Sequence, residues 1–343
     1  MERTRVAVVG CGFFARNHLN AWRDLAAKGV ELTAVCDVDP AKAKAAAEAF
    51  GVPHWYEDAD RMFEAETLDL VDIVTRVETH QALVERSIGH RLPTIVQKPF
   101  GPDFAACKAM TEAARAAGVF LAVHENFRFQ LPMRRIIDLL RDGAIGAPSW
   151  ARISFRTGYD IYKGQPYLMR EERFVIMDLG VHVADLARAF LGEVEHLSAE
   201  TQRRNPDVRA EDTATMLLKH KSGAVSVVEC TYGSRRLPDV FPESLVEIEG
   251  PKGAILLKAG SVLEVTSSGR MTSYDVDPPV LDWAERPWHV IQESVLATSA
   301  HILDALRSGR EAAVSAADNL RTFELCEAAY EAANARRAVR IPG

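Results

Sequence analysis

Val6-Ala7-Val8-Val9-Gly10-Cys11-Gly12-Phe13-Phe14-Ala15 decides the fold. Four small or β-branched apolar residues run without a break into Gly-x-Gly-x-x-Ala. Such a run suits a strand buried on both faces of a parallel sheet. Beyond the glycines, Phe14, Leu19, Trp22, Leu25 and Ala26 fall on roughly one helical face. The glycines therefore sit at a strand-to-helix turn. Gly10 permits the tight turn, Gly12 leaves room for a pyrophosphate, and Ala15 lets helix and strand pack closely. The amides at the helix N-terminus then face the phosphates. Glycines also mark ordinary turns, and it is the strand before and the helix after that select the dinucleotide reading.

The pattern repeats outward from this turn. Val30–Cys36 reads as a second strand ending at Asp37, whose carboxylate can accept from the adenosine ribose hydroxyls and repel a 2′-phosphate. Asp37-Val38-Asp39-Pro40 also reads as a helix-capping turn. Asp39 before Pro40 is the better cap, which leaves Asp37 for the ribose and predicts NAD over NADP. Strands are expected at 54–56, 70–74, 94–96 and 119–123, with helices between them. The alternation predicts a doubly wound parallel sheet over residues 1–124, its ligand crevice at the C-terminal strand ends. Gly10, Asp37, Thr75, Lys98 and His124 all lie at such ends.

After a helix over Leu131–Arg141 the pattern changes to alternating segments joined by tight turns, with helices at Asp178–Leu191, His289–Arg307 and Ala316–Arg336. Residues 125–343 are expected to form an α+β domain with a large, mostly antiparallel open sheet, helices on one face. The other face, lacking an obvious cover, suggests a homodimer or homotetramer through that sheet.

Composition bounds the function. The chain has 343 residues, 48% hydrophobic and 26% charged, with a net charge of −7. That balance argues against nucleic-acid or anionic-membrane partners. Cys11, Cys36, Cys107, Cys230 and Cys326 form no Cys-x-x-Cys pair and read as free thiols of a reducing cytosol. Met1-Glu2-Arg3-Thr4-Arg5 enters the first strand at once, so no signal peptide is expected, and no apolar run is long enough to span a bilayer. A cytoplasmic location follows as the expectation. No His, Cys and carboxylate set has metal-ligand spacing, so no metal is expected.

Asp178-Leu179-Gly180-Val181-His182 carries the candidate chemistry. Residues four apart share one helix face, and a carboxylate beside an imidazole can move a hydroxyl proton at neutral pH. The plainer readings are a helix N-cap for Asp178 and a core histidine for His182. Lys98, at the end of a buried strand, would face the crevice, where an ammonium stabilises charge on a forming carbonyl oxygen. Asp185 reads as a brace for its helix or for His182.

Gly10–His18, Thr75–His80, Gln97-Lys98-Pro99, Arg128, Asp178–His182 and the C-terminal helix together resemble the glucose–fructose oxidoreductase, inositol dehydrogenase and MocA-like family, over nearly the whole chain. The resemblance implies an NAD-dependent sugar dehydrogenase with Lys98, Asp178 and His182 as its catalytic residues. It places Gly10, Gly12, Phe13, Phe14, Asp37, Thr75, His80, Gln97 and Lys98 at the cofactor. Asn126, Arg128, Arg156, Tyr159 and His289 join the catalytic residues as substrate contacts. Asn126 and Arg128 read equally as a structural hinge, and Tyr159, Tyr162, Trp283 and Trp288 as core or interface aromatics. Two departures stand out. Gln97 replaces the family's common Glu, and Phe174-Val175-Ile176-Met177 replaces paired glycines. Val-Gln-Lys-Pro-Phe and His-Glu-Asn-Phe-Arg-Phe-Gln are most similar to the apiose-oxidising branch, which implies oxidation of an aldose at C1 to a lactone. The alternatives are an inositol or polyol dehydrogenase, a non-turnover NAD(H) sensor, and an enzyme that returns the hydride to its product.

Overall fold

The computed structural model describes residues 3–342. Met1 and Glu2, at the start of the segment read above for a signal peptide, lie outside the described residues. The chain separates into two compact units. The first runs as far as Asn126 and takes in Val295–Leu320; the second comprises Phe127–Ser294 and the chain from Arg321 on. The division expected after residue 124 did not anticipate that 295–320 would leave the C-terminal part for the first unit.

In chain order the first unit holds β1 (Thr4–Val9), α1 (Ala15–Asp24), β2 (Val30–Cys36), α2 (Pro40–Phe50), β3 (His54–Tyr56) and α3 (Ala59–Ala65). Then come β4 (Leu70–Ile73), α4 (His80–Gly89), β5 (Thr94–Gln97), α5 (Phe104–Ala117) and β6 (Leu121–His124). The sheet order is β3-β2-β1-β4-β5-β6, every pair parallel. The order reverses at β1, so the crevice beside β1 and β4 is the ligand position this topology provides. Val6, Ala7 and Val8 are wholly buried, as their unbroken apolar run requires. Asp39 caps α2, its side chain accepting from Ala41 N, with Pro40 in the first turn and Gly51 closing the helix in the left-handed region.

The second unit begins with α6 (Leu131–Arg141) and β7 (Trp150–Arg156). A π-helical turn, Ile176–Gly180, leads into α7 (Val181–Leu191). Strands β8 (Val194–Gln202), β9 (Thr213–His220), β10 (Val225–Thr231), β11 (Leu245–Gly250), β12 (Gly253–Lys258), β13 (Val262–Ser267) and β14 (Arg270–Asp275) follow. Helices α8 (His289–Arg307) and α9 (Ala316–Ala335) and the short β15 (Val339–Arg340) complete the chain. The nine strands run β14-β13-β12-β11-β7-β10-β9-β8-β15, antiparallel except for β10 beside β7. Ala151, Ile153 and Phe155 of β7 point into the core, the alternation that the sequence displays. Strand β8 was not expected, because a register shift between Val194 and His196 breaks its alternation.

Candidate active site

The glycine turn is built from three strand ends. Gly10 N donates to Cys36 O at 2.7 Å, and Val74 N donates to Val9 O at 2.7 Å. Gly10 has φ +97°, and a Cβ there would meet Val74 O at 2.4 Å, so no other residue fits. A Cβ on Gly12 would meet nothing within 4 Å, which marks open space over the turn. No side chain caps the first turn of α1. Apart from Asn17 N, which donates to Phe14 O at 3.0 Å, its first-turn amides can turn to an anion. Asp37 is fixed at the end of β2: Oδ2 accepts from Cys11 N at 2.8 Å and Oδ1 from Asp39 N at 2.9 Å. Phe13 is 64% exposed and Val38 91% exposed. Apolar side chains bared on either side of a glycine turn and an acidic strand end suit a dinucleotide lying across them. These residues fit NAD. Cys11, in the turn itself, is pushed up to about 12 by burial and then by Asp37, and stays a thiol.

The other expected cofactor residues divide. Thr75 is half-buried at the end of β4. His80 is buried, with Nε2 3.1 Å from Thr75 O and Nδ1 3.1 Å from Pro99 O. Its ring sits between the backbone after β4 and the backbone after β5, and its single N–H as a neutral imidazole can donate to one of these carbonyls, which makes it a packing brace for this pair of strand ends. Gln97 is buried too: Nε2 lies 2.9 Å from His18 Nε2, and Oε1 accepts from Lys98 N at 2.7 Å. Its side chain turns inward, supporting the strand end from behind.

In the second unit Asp178 sits inside the π turn, and α7 takes Gly180 as its N-cap, so the capping reading of Asp178 falls away. Asp178 Oδ2 accepts from Tyr232 OH at 2.7 Å. Burial, and then Asp178, hold the Tyr232 hydroxyl well above its ordinary pKa, so it remains a donor. His182 stacks on Phe127, ring centroids 3.8 Å apart and planes within 4°. From there aromatic rings continue through Phe155 to Phe241, on which Tyr159 stacks at 4.0 Å, with Trp288 edge-on at 4.9 Å. Tyr162 packs against a small apolar core of Ile161, Leu168, Phe174 and Val208.

Several candidate substrate contacts are engaged elsewhere. Arg128 grips Asp185, Nη2 donating to Oδ1 at 2.7 Å, and Thr322 Oγ1 donates to the same oxygen at 2.8 Å. Asp185 is thus the brace the sequence suggested. Arg156 pairs with Glu229 at 2.9 Å, His289 Nε2 lies 2.9 Å from Asp277 Oδ1, and Asn126 is buried. For Arg156 and His289 these partners speak for support ahead of substrate contact. Among the described residues no cluster of three or more His, Cys, Asp or Glu side chains is placed to hold a metal ion.

Reading by sequence overlooked Tyr232, Glu211 and Phe127. Glu211 Oε1 accepts from Phe174 N at 3.1 Å, Ile176 N at 3.3 Å and Tyr330 OH at 2.6 Å, pinning the start of the π turn. Nothing local marked these residues, since each acts on a segment far away in the chain. Asp72 did carry a signal: a lone acid within Leu70-Val71-Asp72-Ile73 demands buried partners.

Residues 4–125 match the model of an oxidoreductase family with an NAD-binding Rossmann fold, and residues 133–256 match that of the GFO/IDH/MocA C-terminal domain. The chain belongs to the Gfo/Idh/MocA oxidoreductase family. It is an oxidoreductase, and its cofactor is NAD. A D-apiose dehydrogenase of Rhizobium rhizogenes is 48% identical over 341 residues, covering 99% of this chain and 98% of the relative. One from Paraburkholderia graminis is 45% identical, covering 99% and 90%. A crystal structure of an oxidoreductase from Agrobacterium radiobacter, in complex with NAD+, L-tartaric acid and magnesium, superposes with a TM-score of 0.97 at 47% identity, covering 99% of each chain. The Gfo/Idh/MocA resemblance, the doubly wound first sheet and the mostly antiparallel second sheet of the expected fold are all borne out. Among the described residues no helix is long and apolar enough to cross a membrane.

Proposed function

We propose that this family member oxidises an aldose, D-apiose first among candidates, at C1 to a lactone. The observation that carries this is identity near one half, over the full length, with proteins named D-apiose dehydrogenase. Bound NAD supplies the hydride acceptor. His182 takes the proton of the anomeric hydroxyl as the C1 hydride departs and the C–O double bond forms. Asp178, itself held by Tyr232, orients that histidine. Lys98 is read as the cation that stabilises negative charge on the substrate oxygen. The first unit is read as the dinucleotide domain and the second as the substrate domain. Exposed Leu217 and Met271 on β9 and β14 support self-association through the outward sheet face, as a dimer or tetramer. A cytoplasmic site of action is part of the same reading.

The test is incubation of candidate pentoses and inositols with NAD, with products identified by NMR. Lactone or its aldonate from D-apiose supports the reading. An inosose from inositol with pentoses inert overturns it in favour of a polyol dehydrogenase. Tight NAD binding without NADH formation from any sugar would favour a sensor.

A further inference from the structure

Asp72 is completely buried in β4, and a buried carboxylate persists only where donors hold it. Its Oδ2 accepts from Trp22 Nε1 at 2.7 Å and faces His18 Nδ1 at 2.8 Å. His18 is itself wholly buried. A neutral imidazole has one N–H, and the carboxylate draws it to Nδ1, leaving Nε2 as an acceptor. That acceptor meets the Gln97 amide nitrogen at 2.9 Å, and the Gln97 amide oxygen takes the Lys98 backbone N–H at 2.7 Å. Reversing any member sets two donors face to face. A proton on His18 Nε2 would force Gln97 to turn its oxygen inward and offer its NH2 to the Lys98 N–H.

The remaining groups around His18 do not disturb this order. Phe14 packs edge-on against it from the start of α1, with ring centroids 5.6 Å apart. The ring of His124, at the end of β6, lies 4.2 Å away, and its Nε2 is 3.5 Å from Ser299 Oγ on α8. Burial pushes His124 down to about 3, so it brings no charge to His18 at neutral pH.

We infer that His18, fixed by Asp72, is a positioning residue for Lys98: acting through Gln97, it sets the direction in which the backbone leaves β5. Glutamine at 97 makes this line with an uncharged amide, its nitrogen toward His18 and its oxygen toward Lys98 N. A glutamate would set a carboxylate against His18 Nε2 and require an extra proton to hold the same geometry. The inference rests on the reading of Lys98 as the group that stabilises charge on the substrate oxygen.

Two substitutions at His18 separate positioning from packing. His18→Asn keeps a donor toward Asp72 but has no atom at the Nε2 position. His18→Gln places an oxygen where Gln97 can donate to it. In the full-length enzyme with NAD and its aldose, His18→Asn is expected to lower kcat by about 10- to 100-fold, the scale of a small misplacement of a reacting group. His18→Gln should remain much closer to wild type, with NAD affinity similar in both. Gln97→Glu should add a descending alkaline limb to the pH profile of kcat, and His18→Gln/Gln97→Glu should remove it. Equal kcat in the two His18 variants, or a Gln97→Glu profile matching wild type, overturns the inference. Should neither His18 variant fold, the Gln97→Glu profile decides alone. Lys98→Met is the control: full activity there overturns the role of Lys98 itself, whereas an inactive Lys98→Met with indistinguishable His18 variants sinks only the positioning.

Discussion

Asp37 and Asp39, two residues apart, have different tasks, and the division is set by geometry. Asp39 spends its side chain on the α2 amides, while Asp37 is held against the glycine turn by Cys11 N and Asp39 N. Each carboxylate oxygen of Asp37 keeps a lone pair, and in the proposed function these accept from the ribose hydroxyls. Asp37→Ala should therefore weaken NAD and relax discrimination against NADP, read as the ratio of kcat/KM for the two cofactors. A wild-type preference for NADP would remove the role given to Asp37. His182→Ala should lower kcat by about 10²- to 10⁴-fold, the range for a lost general base, and leave NAD affinity without substrate unchanged. A fully active variant would end that assignment. The Asp37–Asp39 division was legible because Asp-Pro is a capping signal that can be read locally. The tasks of His18 and Gln97 were not, because they depend on Asp72, 54 positions from His18.

At the scale of elements, hydrophobic period and caps located most strands and helices, since each alternation or stripe answers to one buried face. Leu131–Arg141, Trp150–Arg156 and Thr213–His220 fall where their patterns put them. The π turn before α7 escaped that logic. Phe174–Met177 is apolar throughout and Asp178–Leu191 reads as one regular helix, yet residues 176–180 take a wider turn. Such turns recur at functional sites because they re-aim side chains. Glu211 holds this one by accepting from Phe174 N, Ile176 N and Tyr330 OH. Burial, and then Glu211, push the Tyr330 hydroxyl far above its ordinary pKa, so it stays a donor. Glu211→Ala is expected to cost about 1–3 kcal/mol of stability, the usual cost of leaving buried donors unpaired. Because the same turn carries Asp178, kcat should fall with it. Unaltered kcat in a destabilised Glu211→Ala protein would show that Asp178 keeps its place without this clamp.

At the scale of the whole molecule, burial of neutral histidines sets how the enzyme meets acid. Burial is the main cause holding His80, His124, His220 and His301 below their ordinary pKa, His124 at about 3. In the unfolded chain each returns to about 6.5 and takes up a proton that the folded state refuses, so the slope of unfolding free energy with pH is positive below that value. Stability is complete above about pH 6.5 and is lost as the pH falls toward each folded-state pKa, at about 1.4 kcal/mol per pH unit for each proton taken up. Glu293 and Glu324, both raised chiefly by burial, act the other way: they keep protons in the folded state that the unfolded chain releases above about pH 4.3. Among these described groups the histidines outweigh the two raised carboxylates, a net loss on acidification before the carboxylates lowered in the fold, such as Asp72 and Asp69, begin to titrate. Urea midpoints of the cofactor-free protein should therefore fall between about pH 7.5 and about pH 5, and His124→Asn should make that fall shallower by up to one proton. A midpoint unchanged over that interval would mean that these rings are already protonated in the folded protein, or are not buried as the structure has them.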